Sequence, residues 1–204
     1  MTRGFRRVRG EVRARLGDDE RRVLHDVFTE VYDLLEDPAA SEPIEQDPLA
    51  ALVGIGSAVR PPEDPALARL LPDAHRDDPE ASAEFRRYTE SGLRERKRSG
   101  LRVALGTLDR NAPLRLNQDE AAAWLVALTD VRLVLAERIG LRTDHDHELL
   151  ERVAARLAEG APDDDTADAG HRLAMTLALY DFLAWLQETL VEAMAATLPD
   201  EPNG

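Results

Sequence analysis

Between Asn117 and Gly140 the apolar residues Trp124, Leu125, Leu128, Val131, Leu135 and Ile139 recur every three or four positions, with no proline or glycine among them. That spacing places one apolar stripe along an α-helix. Asn117 with Glu120 three residues on is a capping box, and Gly140 is a helix stop. Two other segments repeat the pattern. Val23, Val27, Phe28, Val31, Leu34 and Leu35 predict a helix over 19–36, with Asp18 or Asp19 as N-cap. Leu173, Leu177, Tyr180, Leu183, Ala184, Leu190, Val191 and Met194 predict another from about Asp168 to Leu198. A shorter helix is expected in "TDHDHELLERVAARLAEG" (143–160). Striped helices this long must bury their stripes on one another. The fold class expected is therefore mainly α: a single-domain bundle of about five to seven helices over residues 1–198, with a flexible tail at 199–204. Aromatics are only 4% of the chain, which suits a Leu, Val and Ala core between helices better than a sheet-rich one.

The N-terminus departs from this pattern. Val12, Ala14 and Leu16 alternate with Arg13 and Arg15, and "RGE" (9–11) separates them from Phe5 to Val8. That predicts a short β-hairpin lying on the helices, since one hairpin alone is marginal. Residues 37–63 hold five prolines and two glycines and read as a long connection with one helical turn near 47–53. Pro65, Pro72 and Pro79 follow at intervals of seven. Asp64 and Asp78 precede two of them as caps, which predicts a short helix of Leu67, Leu70 and Leu71 and then a long helix from Pro79 toward Leu108. Phe85, Tyr88 and Leu93 are its expected early apolar face, with Gly92 and Gly100 as possible kinks. "NAPLRLN" (111–117) reads as a break.

Composition excludes several functions. There is no cysteine, so disulfides, thiolate catalysis, cysteine-based zinc sites and thiol redox sensing are all ruled out. The Arg-rich start lacks the apolar core of a secretory signal, and no stretch is long and apolar enough to span a bilayer. A cytoplasmic protein with no membrane partner is the expectation. The net charge of −14 argues against coating nucleic acid generally, yet charge is segregated along the chain. Residues 1–17 carry Arg3, Arg6, Arg7, Arg9, Arg13 and Arg15 against Glu11 alone. A second run holds Arg94, Arg96, Lys97, Arg98 and Arg102 against Glu95. Such basic runs suit DNA phosphates or an acidic partner; an arginine-rich hairpin also protects a sheet edge from aggregation.

Signals for chemistry are weaker. "DHDHE" (144–148) invites a metal reading, but His145 and His147 point about 200° apart on a helix. Asp144 with His147 or Glu148 could share a face, and further ligands would have to come from elsewhere. An acidic helix start explains the cluster as well. His25, His75 and His171 are scattered, with His171 expected at a buried or boundary position. "VGIGSAV" (53–59) lacks the helix a phosphate loop needs, and no serine has a nucleophile-elbow context. Asp130, Arg132 and Asp181 interrupt apolar stripes; an acid buried there must pair with a base, as in an internal Asp–Arg clamp. No catalytic residue, metal site or cofactor is assigned.

The strings "DPLAALVGIG" (47–56) and "PEDPALARLLPDAHRDDPEASAEFRRYTESGLR" (62–94) resemble an actinobacterial family of unknown function that includes the AosR-like oxidative-stress regulators and whose genes lie beside that of the ClpS adaptor. "RRVRGEVRARLGDDERRVLHDVFTEVYDLL" and "LNQDEAAAWLVALTDVRLVLAERIGL" are similar to the same family. The resemblance implies a helical, non-enzymatic stress-response regulator acting through a sigma factor, RNA polymerase or DNA. The redox response attributed to that family depends on cysteine, and methionine oxidation at Met175 or Met194 is expected to be hindered by burial. Arg6, Arg7, Arg9, Arg13 and Arg15 of the hairpin, with Arg94, Arg96, Lys97 and Arg98, are the expected DNA or partner contacts. Asp64, Pro65, Arg69, Pro72, Asp73, Arg76, Asp77, Arg86 and Arg87 form an expected family-signature surface. The alternatives are a helical homodimeric adaptor or scaffold tied to Clp proteolysis and, third, a metal-dependent enzyme around Asp144 to Glu148.

Overall fold

A computed structural model describes residues 2–36, 61–75, 77–110, 113–159 and 164–196. The helical turn expected near 47–53 and the tail at 199–204 lie outside them. The described residues form strands β1 (Arg3–Val8) and β2 (Glu11–Arg15), helix α1 (Asp18–Leu34), a short α2 (Pro65–Leu70), a long α3 (Pro79–Leu108), strand β3 (Leu114–Leu116), and helices α4 (Gln118–Ile139), α5 (Asp144–Glu159) and α6 (Asp164–Ala195). The mainly helical class and the N-terminal hairpin are as the sequence predicts.

The hairpin turn is Arg9–Gly10, both with positive φ (52° and 90°), so Glu11 belongs to the strand. Two consecutive left-handed residues are what a twisted two-residue hairpin requires. The sheet has a third strand where the sequence predicts only a break. Leu114–Leu116 pairs antiparallel with β2, Val12 opposite Leu116 and Ala14 opposite Leu114. All four side chains are buried, so the alternation of two leucines around Arg115 is a real strand signal, too short to stand alone.

The helix ends follow local chemistry. α1 begins one residue before its expected start, because Gly17 is the N-cap and its N–H donates to the Glu20 carboxylate at 2.6 Å. Asp64 caps α2, accepting from the N–H groups of Ala66 (2.8 Å) and Leu67 (3.4 Å). Asp78 caps α3, accepting from Ala81 N–H at 3.0 Å, and both helices carry proline in their first turn. Asn117 and Glu120 exchange the two bonds of the capping box at 2.9 Å each, and Gly140 closes α4 at φ 72°. α3 runs unbroken through Gly92 and Gly100.

The core lies where the inner sheet face, α1, α3, α4 and α6 meet. Trp124 is fully buried there, its indole N–H donating to Thr107 Oγ1 at 2.6 Å. The rings of Phe5 and Phe28 meet it edge-on, with centroids 5.5 and 5.3 Å away. β1 lies on α6, with Phe5 N–H donating to Thr189 Oγ1 at 3.1 Å.

α5 folds back along α6 so closely that a Cβ on Gly170 would sit 2.7 Å from Ala158 N and 2.9 Å from Ala154 O. Those atoms are backbone and cannot swing aside. Gly170→Ala is therefore expected to destabilise by about 1–3 kcal/mol through overpacking. Gly92→Ala meets nothing within 4 Å, and is expected to stabilise by about 0.5–1 kcal/mol through helix propensity. Paired urea denaturations check both, and two shifts of the same sign would refute the close-packing account.

Candidate functional site

The outer face of the sheet gathers arginines from all three strands. Arg6 pairs across β1–β2 with Arg13, and Arg13 pairs across β2–β3 with Arg115. Three arginines thus stand in one row over three strands. Arg3 lies opposite Arg15 beside them, brought onto the same face by an irregularity in β1 between Arg3 and Arg6. Arg3, Arg6, Arg15 and Arg115 are exposed and Arg13 is half-buried. Glu11 alone tempers the row on this hairpin, bonded to Arg13 at 2.7 Å. Like charges directly opposite one another destabilise a sheet, so the row carries a folding cost that an anionic partner would relieve. Arg9 is exposed at the turn, and Arg7 stands opposite Val12 on the inner side, half-buried. Arg115 has no signal of its own in the sequence, because only strand pairing brings it to the hairpin.

The second basic run is placed differently. Arg94 is buried and grips Glu90 through two bonds of 2.7 and 2.9 Å, with a third to the Glu36 carbonyl at 3.3 Å. Lys97 donates to the buried Asp130 at 2.6 Å. Arg98 lies over the Tyr32 ring, 4.3 Å from its centre. Arg102 donates to the Tyr32 hydroxyl at 3.4 Å, which with the Arg98 charge lowers the pKa of that phenol. Arg96 is exposed. Arg94, expected as a contact, is therefore inside the protein. The two basic runs also lie apart: α1 starts beside β2, Arg94 meets its far end, and 17 residues span about 25 Å.

Of the proline-punctuated signature, Arg86 is drawn inside while Pro65, Arg69 and Asp73 stay exposed. The early buried face of α3 is Ser82, Arg86, Glu90 and Arg94, four residues at helical spacing, while Phe85 and Tyr88 are more than half exposed. Glu90 bridges both arginines, accepting from Arg86 at 2.7 Å. Arg86 further bonds Asp73 at 2.5 Å and the Leu71 carbonyl at 3.3 Å. Burial opposes its charge, but Glu90 and Asp73 outweigh burial and raise the guanidinium's pKa. Asp64 pairs with Arg138 at 2.6 Å, which with the Ala66 and Leu67 N–H groups holds its carboxyl below the usual range. Arg69 meets Glu137 at 3.6 Å. Pro72, Asp77 and Arg87 are exposed, and Arg76 lies outside the described residues. Bonds thus meet both flanks of residues 37–60: Glu36 accepts from the buried Arg94, and Asp64 pairs with Arg138 at the surface.

Around the acidic-histidine cluster the structure keeps His147 but groups it with acids other than Asp144 and Glu148. His147 faces Asp181 of α6 at 2.9 Å, and Glu151, one turn along α5, joins them, all three offering ligand atoms within 4.8 Å of one another. His147 and Asp181 border a cleft of about 410 Å³ whose lining includes Arg132, Arg142 and Tyr180. Two guanidiniums beside three ligands disfavour a divalent cation there. Arg132 bonds Gln187 (2.8 Å) and the Tyr180 hydroxyl (3.0 Å), so the expected Asp–Arg clamp is replaced by Lys97 with Asp130. His171 is exposed, with Nδ1 2.8 Å from the Ala167 carbonyl, rather than at the expected buried or boundary position.

Comparisons with known proteins agree on one family. The sequence pattern described as "Domain of unknown function (DUF2017)" matches residues 2–194. The "Putative oxidative stress regulator AosR" of Mycobacterium leprae (strain TN) is 33% identical over 178 residues, covering 80% of this chain and 73% of that protein. The "Oxidative stress regulator AosR" of Mycobacterium tuberculosis (strain ATCC 25618 / H37Rv) is 31% identical over 195 residues, covering 88% and 80%. Its Mycobacterium bovis (strain ATCC BAA-935 / AF2122/97) counterpart matches to the same extent. No solved structure gives a significant match. Among the described residues no helix is long and apolar enough to cross a membrane.

Proposed function

The chain belongs to the DUF2017 family, and on that premise we propose that it is a non-enzymatic regulator of the oxidative-stress response, acting in transcription. Its working surface is the outer sheet face, which contacts promoter DNA, with a sigma factor or RNA polymerase as protein partner. The arginine row Arg6–Arg13–Arg115 carries this reading. On a chain of net charge −14, a three-stranded face with five arginines and one glutamate is a local reversal of sign. Arginine forks match phosphate oxygens, and a β-ribbon is a known way of presenting them to a groove. Arg96, exposed on α3, is available for a separate contact. Arg94, Lys97 and Arg98 act structurally.

The test is a fluorescence-anisotropy titration of labelled duplex DNA at two salt concentrations. Wild-type affinity is expected to fall steeply with salt. In Arg6→Ala/Arg13→Ala/Arg115→Ala, affinity should drop and the slope of log K against log salt should shrink by about 0.9 for each phosphate no longer neutralised. The triple variant relieves charge repulsion across the strands, so its thermal stability should hold or rise, separating weakened binding from weakened folding. Salt-insensitive binding, or a triple variant that binds like the wild type, would sink the DNA reading.

A further inference from the structure

We propose that Met175 is an oxidant-responsive site of this chain, its thioether converted to the sulfoxide in an open apolar groove. The biological sense of this rests on the stress-regulator reading above; the chemistry does not. The chain has no cysteine, so an oxidant can leave no thiol-based mark, and methionine is the remaining sulfur. The sequence predicts that burial shields Met175. Instead it is 73% exposed, the most exposed of the large apolar side chains among the described residues. Met194 on the same helix is partly buried against the core.

Met175 lines a groove of about 590 Å³ between α1 and α6, with Val23, Leu179 and Phe182 as apolar walls and Asp19 and Arg172 at the rim. An oxidant of the hydroperoxide class reaches the sulfur from solvent. The sulfur lone pair attacks one peroxide oxygen, the S–O bond forms as the O–O bond breaks, and the departing oxygen takes a proton to leave as water or alcohol. Sulfur loses two electrons and the peroxide gains them. The product is a polar, chiral acceptor in the middle of an apolar groove, and reductases that act on methionine sulfoxide can reverse it. An apolar group that fits the reduced groove offers the sulfoxide oxygen no donor of its own and must displace the water around it.

The purified full chain is treated with hydrogen peroxide, sampled over time and mapped by peptide mass spectrometry, with 1-anilinonaphthalene-8-sulfonate, an anionic dye whose aromatic rings fluoresce on apolar surfaces, reporting the groove. Met175 sulfoxide should form several-fold faster than Met194 sulfoxide. Dye fluorescence should fall with the same time course and recover on treatment with methionine sulfoxide reductases. Met175→Leu keeps the apolar wall and should abolish the fall. Equal oxidation rates at the two methionines, or a fall that persists in Met175→Leu, would overturn the proposal. Neither readout involves DNA, so a failed DNA titration leaves this result standing, and the reverse.

Discussion

Replacing Glu90 with alanine is expected to remove about 3–5 kcal/mol of stability, enough to threaten the fold of a domain this size. Glu90, Arg86 and Arg94 have side chains only 6–8% exposed, and Glu90 is the acid common to both arginines. Without it Arg94 keeps one carbonyl contact at 3.3 Å, and Arg86 keeps Asp73 at the surface. A buried guanidinium deprived of its counter-charge is far costlier than a surface pair is valuable. Phe85→Ala in the same turn should stay within about 0.5 kcal/mol, since its ring is half exposed. Arg86→Met/Glu90→Leu/Arg94→Met together should be much less harmful than Glu90→Ala, because no orphaned charge remains. Urea denaturation of the three variants decides the matter. A Glu90→Ala loss under about 1 kcal/mol would show that water reaches these arginines.

The same ladder shows where sequence reasoning stops. Periodicity finds helices through their apolar stripes, and it locates α1, α3, α4 and α6 because leucines, valines and Trp124 carry the pattern. In the first half of α3 the stripe is polar: Ser82, Arg86, Glu90 and Arg94 occupy the inward face and Phe85 and Tyr88 the outward one. A hydrophobicity pattern reads that face backwards. Its trace is the i, i+4 order of Arg86, Glu90 and Arg94, which a surface helix would also show. The caps at Asp64, Asp78 and Asn117 are legible because capping is local chemistry. β3 and the row ending at Arg115 are not, because three residues carry no period and strand pairing joins positions about a hundred apart. The hairpin arginines are in the expected place. In the 94–98 run Arg96 is exposed, while Arg94, Lys97 and Arg98 are held by Glu90, Asp130 and Tyr32 from α3, α4 and α1.

That contrast bears on how charge is used in this chain. Both basic runs look alike as text, yet one faces solvent across a sheet while Arg94 and Lys97 of the other neutralise buried acids. Arginine-to-alanine changes in the two should therefore fail differently: the sheet row in binding with stability intact, the α3 run in stability first. A variant set that ignored this would mistake unfolding for weakened DNA binding.

Lys97→Met is the second large effect, and its size should depend on pH. Asp130 is 2% exposed, and Lys97 is its cationic partner at 2.6 Å. The second Asp130 oxygen, Oδ2, has no hydrogen-bond partner among the described residues. Burial raises the Asp130 pKa even with Lys97 pulling it down. Removing Lys97 takes away that opposing pull and must raise it further. A carboxyl whose folded pKa lies above its unfolded value favours the folded state while protonated, and that advantage is lost as pH rises through the folded pKa. The Lys97→Met penalty should accordingly be full at pH 8, about 3 kcal/mol or more for an unpaired buried carboxylate. It should shrink as pH falls toward the ordinary carboxylate range, where Asp130 takes up a proton and needs no cation. Measuring the variant minus wild-type difference at each pH cancels the titration of exposed groups common to both. Lys97→Met/Asp130→Asn should lose the pH dependence, since neither partner then titrates. A penalty that stays constant between pH 8 and pH 5 would mean that Lys97 stabilises α3 against α4 through the packing of its methylenes, and that Asp130 remains solvated once the ammonium is gone.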